Sequence, residues 1–204
     1  MLLSPYAGKD ISEWNKITER LIKKHPLTEK EIVDTVLDSW NDIFKSKIGD
    51  LQIVKQIHPS PQIISFLIHE LIPYKLGGLY PDIYKAGTEK NEKDIHCLTN
   101  DFFSIEIKAS SNPTSIYGNR SYAQQNVEKS KKNKNGYYLT INFAKFIKDT
   151  KLRPEISIIR FGYLEHTDWR GQKAETGQQA SLSLDAYRYK LKELYSRLKT
   201  KSKK

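Results

Sequence analysis

Two acidic residues and a lysine define the chemistry within reach of this chain. They lie in the segment Asp94-Ile-His-Cys-Leu-Thr-Asn-Asp-Phe-Phe-Ser-Ile-Glu106-Ile107-Lys108. Folded as a hairpin with Thr99-Asn100-Asp101 as a three-residue loop, the segment pairs Leu98 with Phe102, Cys97 with Phe103 and Ile95 with Ile105. Asp94 then lies across from Glu106. Side chains alternate between the faces of a strand, so Ile95, Cys97, Phe103, Ile105 and Ile107 share an apolar face. Asp94, His96, Ser104, Glu106 and Lys108 share the other. Like charges directly opposite on a sheet are destabilising and need compensation. A hard divalent cation supplies it, because Mg²⁺ takes oxygen ligands and uses one or two carboxylates together with substrate phosphate oxygens. The pattern points to metal-dependent phosphodiester hydrolysis. Asp94 and Glu106 are the candidate metal ligands, with the Ile107 carbonyl as a further one. Lys108 is placed to orient the attacking water and to stabilise charge developing on the phosphate.

The Asp-x(11)-Glu-x-Lys pattern on a hairpin resembles the PD-(D/E)XK nucleases. Among them it is most similar to the small type II restriction endonucleases, of the ScaI or MjaI groups. The run from Ser110 to Gln124 adds to that likeness. One departure is that Lys93, rather than proline, precedes Asp94. A literal Pro81-Asp82 makes Asp82 a competing aspartate. The hairpin register favours Asp94, since Asp82 follows Gly77-Gly78 in a predicted loop. The resemblance implies an α/β (α+β) fold: a mixed β-sheet flanked by helices, with an N-terminal helical region. It also implies Mg²⁺ as cofactor, double-stranded DNA as substrate, and products carrying 5′-phosphate and 3′-hydroxyl. A glutamate from the helix before the sheet stands near the metals in many such nucleases, and Glu70 matches it in kind and placement. On the residues alone, Glu70 and His69 equally well mark the wet edge of that helix.

A formal net charge of +10 over 204 residues points to a polyanionic partner. Arginine reads guanine, and asparagine or glutamine reads adenine, through paired hydrogen bonds in the major groove. Two polar stretches are dense in these types, offering Asn119, Arg120, Ser121, Gln124 and Gln125 in one and Arg170, Gln172 and Gln178 in the other. Cutting both strands of a palindromic site suits a two-fold homodimer. Two other readings compete: a structure-specific repair or junction nuclease of the same fold, and a non-catalytic basic DNA-binding protein.

The single cysteine, Cys97, permits no disulfide within the chain. No signal peptide or membrane-length apolar run is evident, so a cytoplasmic protein is expected. The length suits one nuclease domain over residues 1–204, mainly helical over 1–76 and carrying the catalytic core and DNA-reading loops over 77–204. Three helices are expected first. Ser12 caps one; Thr28-Glu-Lys-Glu31 forms a capping box for the second; Ser60-Pro61 opens a third that stops at Pro73 and Gly77-Gly78. Further elements are a helix from about Ser121 to Lys132, strands Tyr137–Phe143 and Glu155–Leu164, a long polar loop to Ser181, and a last helix from Leu184 to about Leu198.

Overall fold

The computed structural model describes residues 4–124, 133–147, 152–174 and 176–198. Three helices lead the chain. The first, α1 (Ile11–Lys24), is capped by Asp10, whose carboxylate accepts from the Ser12 N–H, so the cap lies two residues before the expected Ser12. Helix α2 (Glu29–Lys45) starts at the Thr28–Glu31 capping box. A short ribbon, β1 (Lys47–Ile48) with β2 (Leu51–Gln52), leads to α3 (Pro61–Leu79), which Ser60 caps. This helix passes straight through Pro73 and Gly77-Gly78, against the expected stop. A proline inside a helix costs about 3 kcal/mol. Ile64, Ile68, Ile72 and Leu76 are buried on either side of it, and at about 1.5–3 kcal/mol per side chain their burial outweighs that cost.

The remaining strands are β3 (Tyr84–Ala86), β4 (Ile95–Cys97), β5 (Ile105–Ser110), β6 (Tyr117–Asn119), β7 (Gly136–Phe143), β8 (Ile156–Leu164), β9 (Trp169–Gly171), β10 (Gln179–Leu182) and β11 (Leu191–Ser196). Six of them form a mixed sheet in the order β11-β8-β7-β5-β4-β3, in which only β5 and β7 run parallel. Alternation divides the sheet's two faces. Ile105, Ile107, Leu139, Ile141 and Phe161 face the helices and join Ile64, Ile68 and Trp40 in one core. Tyr138 and Leu164 face the other way, into a second core with Ile116, Tyr122, Trp169, Ala180 and Leu182. A smaller antiparallel sheet, β6-β10-β9, closes that second side.

The hairpin register holds where it matters: Ile95 pairs with Ile105. Its closing end differs from expectation. Asp101–Phe103 coil into a 3₁₀ turn, and the Ser104 hydroxyl accepts the Cys97 N–H at 2.9 Å. The Leu98–Phe102 and Cys97–Phe103 pairs therefore do not form, because a short polar side chain has taken the place of the ladder. The expected C-terminal helix is also replaced. Ala186–Lys190 makes one wide turn and the chain then pairs along β8 as β11. A Cβ on Gly162 would lie 2.0 Å from the Lys190 carbonyl oxygen, so only glycine admits the turn at this point. The buried Lys190 ammonium is held by Glu165 and Asp168, both at 2.9 Å. Edge pairing and this ion cluster override the helical spacing of the leucines. Of the helix expected at 121–132, the described part is a 3₁₀ turn, Arg120–Ala123; residues 125–132 lie outside the described residues. Within the expected polar loop before Ser181, Trp169–Gly171 is β9 and the chain enters β10 at Gln179. Among the described residues no helix is long and apolar enough to cross a membrane.

His25 sits where α1 meets the sheet. Its Nδ1 accepts the Leu27 N–H at 3.1 Å, and Nε2 lies 3.1 Å from the Phe103 carbonyl, as a neutral ring requires. Burial pulls its pKa down to about 4. The folded pKa lies below the unfolded value of about 6.5, so the full stabilisation is present above pH 6.5 and drains away as pH falls towards 4. The expected loss across that window is about 3 kcal/mol. Urea unfolding of the wild type and His25→Gln at pH 7, 5.5 and 4 should show that slope in the wild type alone; equal slopes would contradict it.

Candidate active site

Strand β5 carries the chemistry because it is internal to the sheet, with β4 on one side and β7 on the other. Period-two alternation puts Glu106 and Lys108 on the side away from the helices. Glu106 is only 3% exposed. A carboxylate so buried is costly unless it is paired and hydrogen-bonded. Its Oε1 accepts from Lys108 Nζ at 2.7 Å and from the Tyr122 hydroxyl. Lys108 Nζ also donates to the Ile107 carbonyl at 2.9 Å and lies 4.5 Å from the Tyr122 ring centre. Burial, and then the charge of Glu106, push the Tyr122 phenol well up from its ordinary value. The phenol therefore stays a proton donor to the carboxylate.

Asp94 is anchored from across the ladder. Its Oδ2 accepts the Ile107 N–H at 2.7 Å, which ties it to the backbone between Glu106 and Lys108. His69, from α3, places Nδ1 at 3.5 Å from the same oxygen. The Asp94 and Glu106 carboxylates and the Ile107 carbonyl are hard oxygen donors of the kind that suits Mg²⁺; among the described residues no group of three or more His, Cys, Asp or Glu side chains forms a cluster able to hold a metal.

The other candidates scatter. Glu70 is exposed, and it is the preceding residue, His69, that α3 turns towards Asp94. Asp82 is exposed in the turn after α3. The β3–β4 ladder runs from Tyr84–Cys97 to Ala86–Ile95, so Asp82 lies beyond the end opposite to Asp94. Lys93, where the resemblance calls for proline, is buried, and its Nζ donates to the Asn133 and Asn135 carbonyls at 3.0 and 2.9 Å. The two polar stretches meet in the small sheet, where Asn119, Ser121, Gln124, Arg170, Gln172 and Gln178 are exposed. Arg120 instead folds back, with Nη1 at 3.3 Å from the carbonyls of Ala174 and Gly177. Gln125 lies outside the described residues.

Comparison with known proteins identifies the family of the chain. A family model described as ScaI restriction endonuclease matches residues 4–195. The type II restriction enzyme ScaI of Streptomyces caespitosus is 43% identical over 180 residues, spanning 88% of this chain and 79% of that protein. This chain belongs to the ScaI restriction endonuclease family. No solved structure matches it. As a member of the ScaI family the chain is an enzyme, a hydrolase of the restriction-endonuclease class, and the mixed sheet flanked by helices is consistent with a restriction-endonuclease-like core.

Three residues of this candidate site carry little sequence signal. Tyr122 lies in an irregular stretch 16 residues from the Glu106 that it contacts. His69 is distinguished from Glu70 only by the rotation of α3. Thr140 stands beside Lys108 in the β5–β7 register, and its buried hydroxyl has no hydrogen-bond partner among the described residues. The Tyr122 contact has a measurable consequence. Tyr122→Phe keeps the ring against Trp169, 5.2 Å between centres, and removes one donor from a buried carboxylate. A stability loss of about 1–3 kcal/mol is expected in urea unfolding. An unchanged midpoint would show that the hydroxyl does not support Glu106.

Proposed function

We propose that the chain is a Mg²⁺-dependent type II endonuclease that hydrolyses both strands of a short palindromic duplex site, leaving 5′-phosphate and 3′-hydroxyl ends. The observation that carries this reading is the convergence of Asp94, Glu106 and Lys108 on one internal strand pair in a chain of the ScaI restriction endonuclease family. Asp94, Glu106 and the Ile107 carbonyl would hold the cation. When bound, Mg²⁺ would supply a Lewis acid that neutralises charge on the scissile phosphate and lowers the pKa of water.

The chain's own groups prepare for that charge. Lys108 already touches both Glu106 and the Ile107 carbonyl. Its ammonium therefore compensates Glu106 now, and is within reach to orient the attacking water and meet negative charge once a phosphate enters. Tyr122 holds one Glu106 oxygen in place, and the Ile107 N–H does the same for Asp94. Such fixed groups need little reorganisation at the moment of reaction. His69 adds a nitrogen beside Asp94, and Glu70, one residue further on, stands exposed in the middle of α3. Cutting both strands of a two-fold site would be the work of a homodimer, acting in the cytoplasm.

Digestion of a long duplex with Mg²⁺, with EDTA as control, tests the activity. Discrete fragments that appear only with Mg²⁺ are expected; a uniform smear would favour a structure-specific nuclease, and no cutting would favour a DNA-binding protein. Under the same conditions Glu106→Ala and Lys108→Ala should each lose at least about two to three orders of magnitude in rate. Both should still melt cooperatively. Wild-type turnover in both variants would remove these residues from the active site.

A further inference from the structure

The small sheet turns two kinds of residue to its two sides. Inward, Gly118, Ala180 and Gly171 form one cross-strand row of small residues. A Cβ on Gly118 would lie 3.2 Å from both Trp169 and Tyr122, so this position must stay small for the sheet to seat on them. Register and alternation then fix what faces outward. One outward row runs Tyr117–Ser181–Arg170. The other runs Asn119–Gln179 and continues to Gln172, whose N–H donates to the Gln179 carbonyl at 2.9 Å. All six of these outward residues are exposed. The Gln172 and Gln179 side chains also meet, Nε2 to Oε1 at 3.5 Å.

We infer that this outward face is the base-reading surface, and that Gln179 and Arg170 are its specificity-determining residues. The inference rests on the proposal that duplex DNA is the substrate. An antiparallel ribbon fits the major groove, where an amide pairs with adenine and a guanidinium with guanine. The face offers both chemistries in fixed rows on a strand scaffold. It is also joined to the site of hydrolysis: Trp169 of β9 packs on Tyr122, whose hydroxyl holds Glu106. Arg120 takes a different part. Its backbone N–H donates to the Gln178 carbonyl at 2.7 Å, and its guanidinium clasps the Ala174 and Gly177 carbonyls. It is a positioning residue that shapes the turn between β9 and β10.

Gln179 carries no signal in the sequence that separates it from its neighbours. The register does, because it stands at the centre of the amide row, flanked by Asn119 on one strand and Gln172 on the other.

The test begins by sequencing the ends of a genomic digest to define the wild-type site. Affinity is then measured, with Ca²⁺ replacing Mg²⁺, for that duplex and for a set in which each base pair is changed singly. Gln179→Ala is expected to lose about 10- to 100-fold of discrimination at an A·T pair, and Arg170→Ala a similar factor at a G·C pair. Tyr74→Ala, on the exposed side of α3 and hence on the opposite side of the main sheet, is the control and should keep the wild-type pattern. Thermal melting of each variant separates lost recognition from lost fold. Folded variants that discriminate as the wild type does, or that weaken on every duplex equally, would overturn the assignment. A wild type that cuts at no defined sequence would instead remove the proposal of a site-specific endonuclease on which it rests.

Discussion

Glu106 is a carboxylate buried in the middle of a β-sheet, and the groups around it exist in large part to make that tolerable. An unpaired charge in that position would cost several kcal/mol. Lys108 and Tyr122 both reach its Oε1, one from the same strand and one from the opposite layer. Asp94 is secured separately through the Ile107 N–H. Two carboxylates and an ammonium are thus fixed to three consecutive residues of one internal strand. Asp94 and Lys108 are held to the Ile107 backbone and Glu106 by two side-chain donors, so each group has a fixed partner, which is the kind of rigidity that preorganised sites need.

The sheet serves this arrangement with two different sides. Its helical side is a dense apolar core that includes Trp40, Ile68, Ile107 and Phe161, each almost fully buried. That core fixes the position of β5. The other side is built for contact: a second, smaller core seats the β6-β10-β9 sheet, and Trp169 and Tyr122 connect it to Glu106. The small sheet and β5 therefore share one packed interface, so a displacement of the first is felt by the second through close-packed side chains.

The hairpin was legible because β4 and β5 alternate cleanly, and a one-residue slip would have buried Asp94 and exposed Ile95. Helices α2 and α3 were legible from their caps, and α1 from its helical spacing, its cap being Asp10 rather than Ser12. Pro73 misled because local propensity does not register the burial that continues past it. The C-terminal leucines have helical spacing, yet β8 needed an edge partner and Gly162 made room for the approach; both facts are non-local. The small sheet escaped notice for a similar reason. Its strands are three or four residues long, interrupted by glycine, and distant in sequence. Of the candidate site, the spacing made legible that Asp94, Glu106 and Lys108 lie together. Tyr122, His69 and the Asn119–Gln179 row required the three-dimensional register.

The most direct measurement compares Asp94→Asn with Asp82→Asn in Mg²⁺-dependent hydrolysis of duplex DNA. Each substitution nearly preserves side-chain volume and removes one negative charge, so the two differ only in where that charge stood. Asp94→Asn is expected to lose at least about two to three orders of magnitude in rate, with metal-free DNA affinity retained or increased. Asp82→Asn is expected to cut at close to the wild-type rate. A dead Asp82→Asn beside a normal Asp94→Asn would contradict the pairing of Asp94 with Glu106 as the catalytic centre.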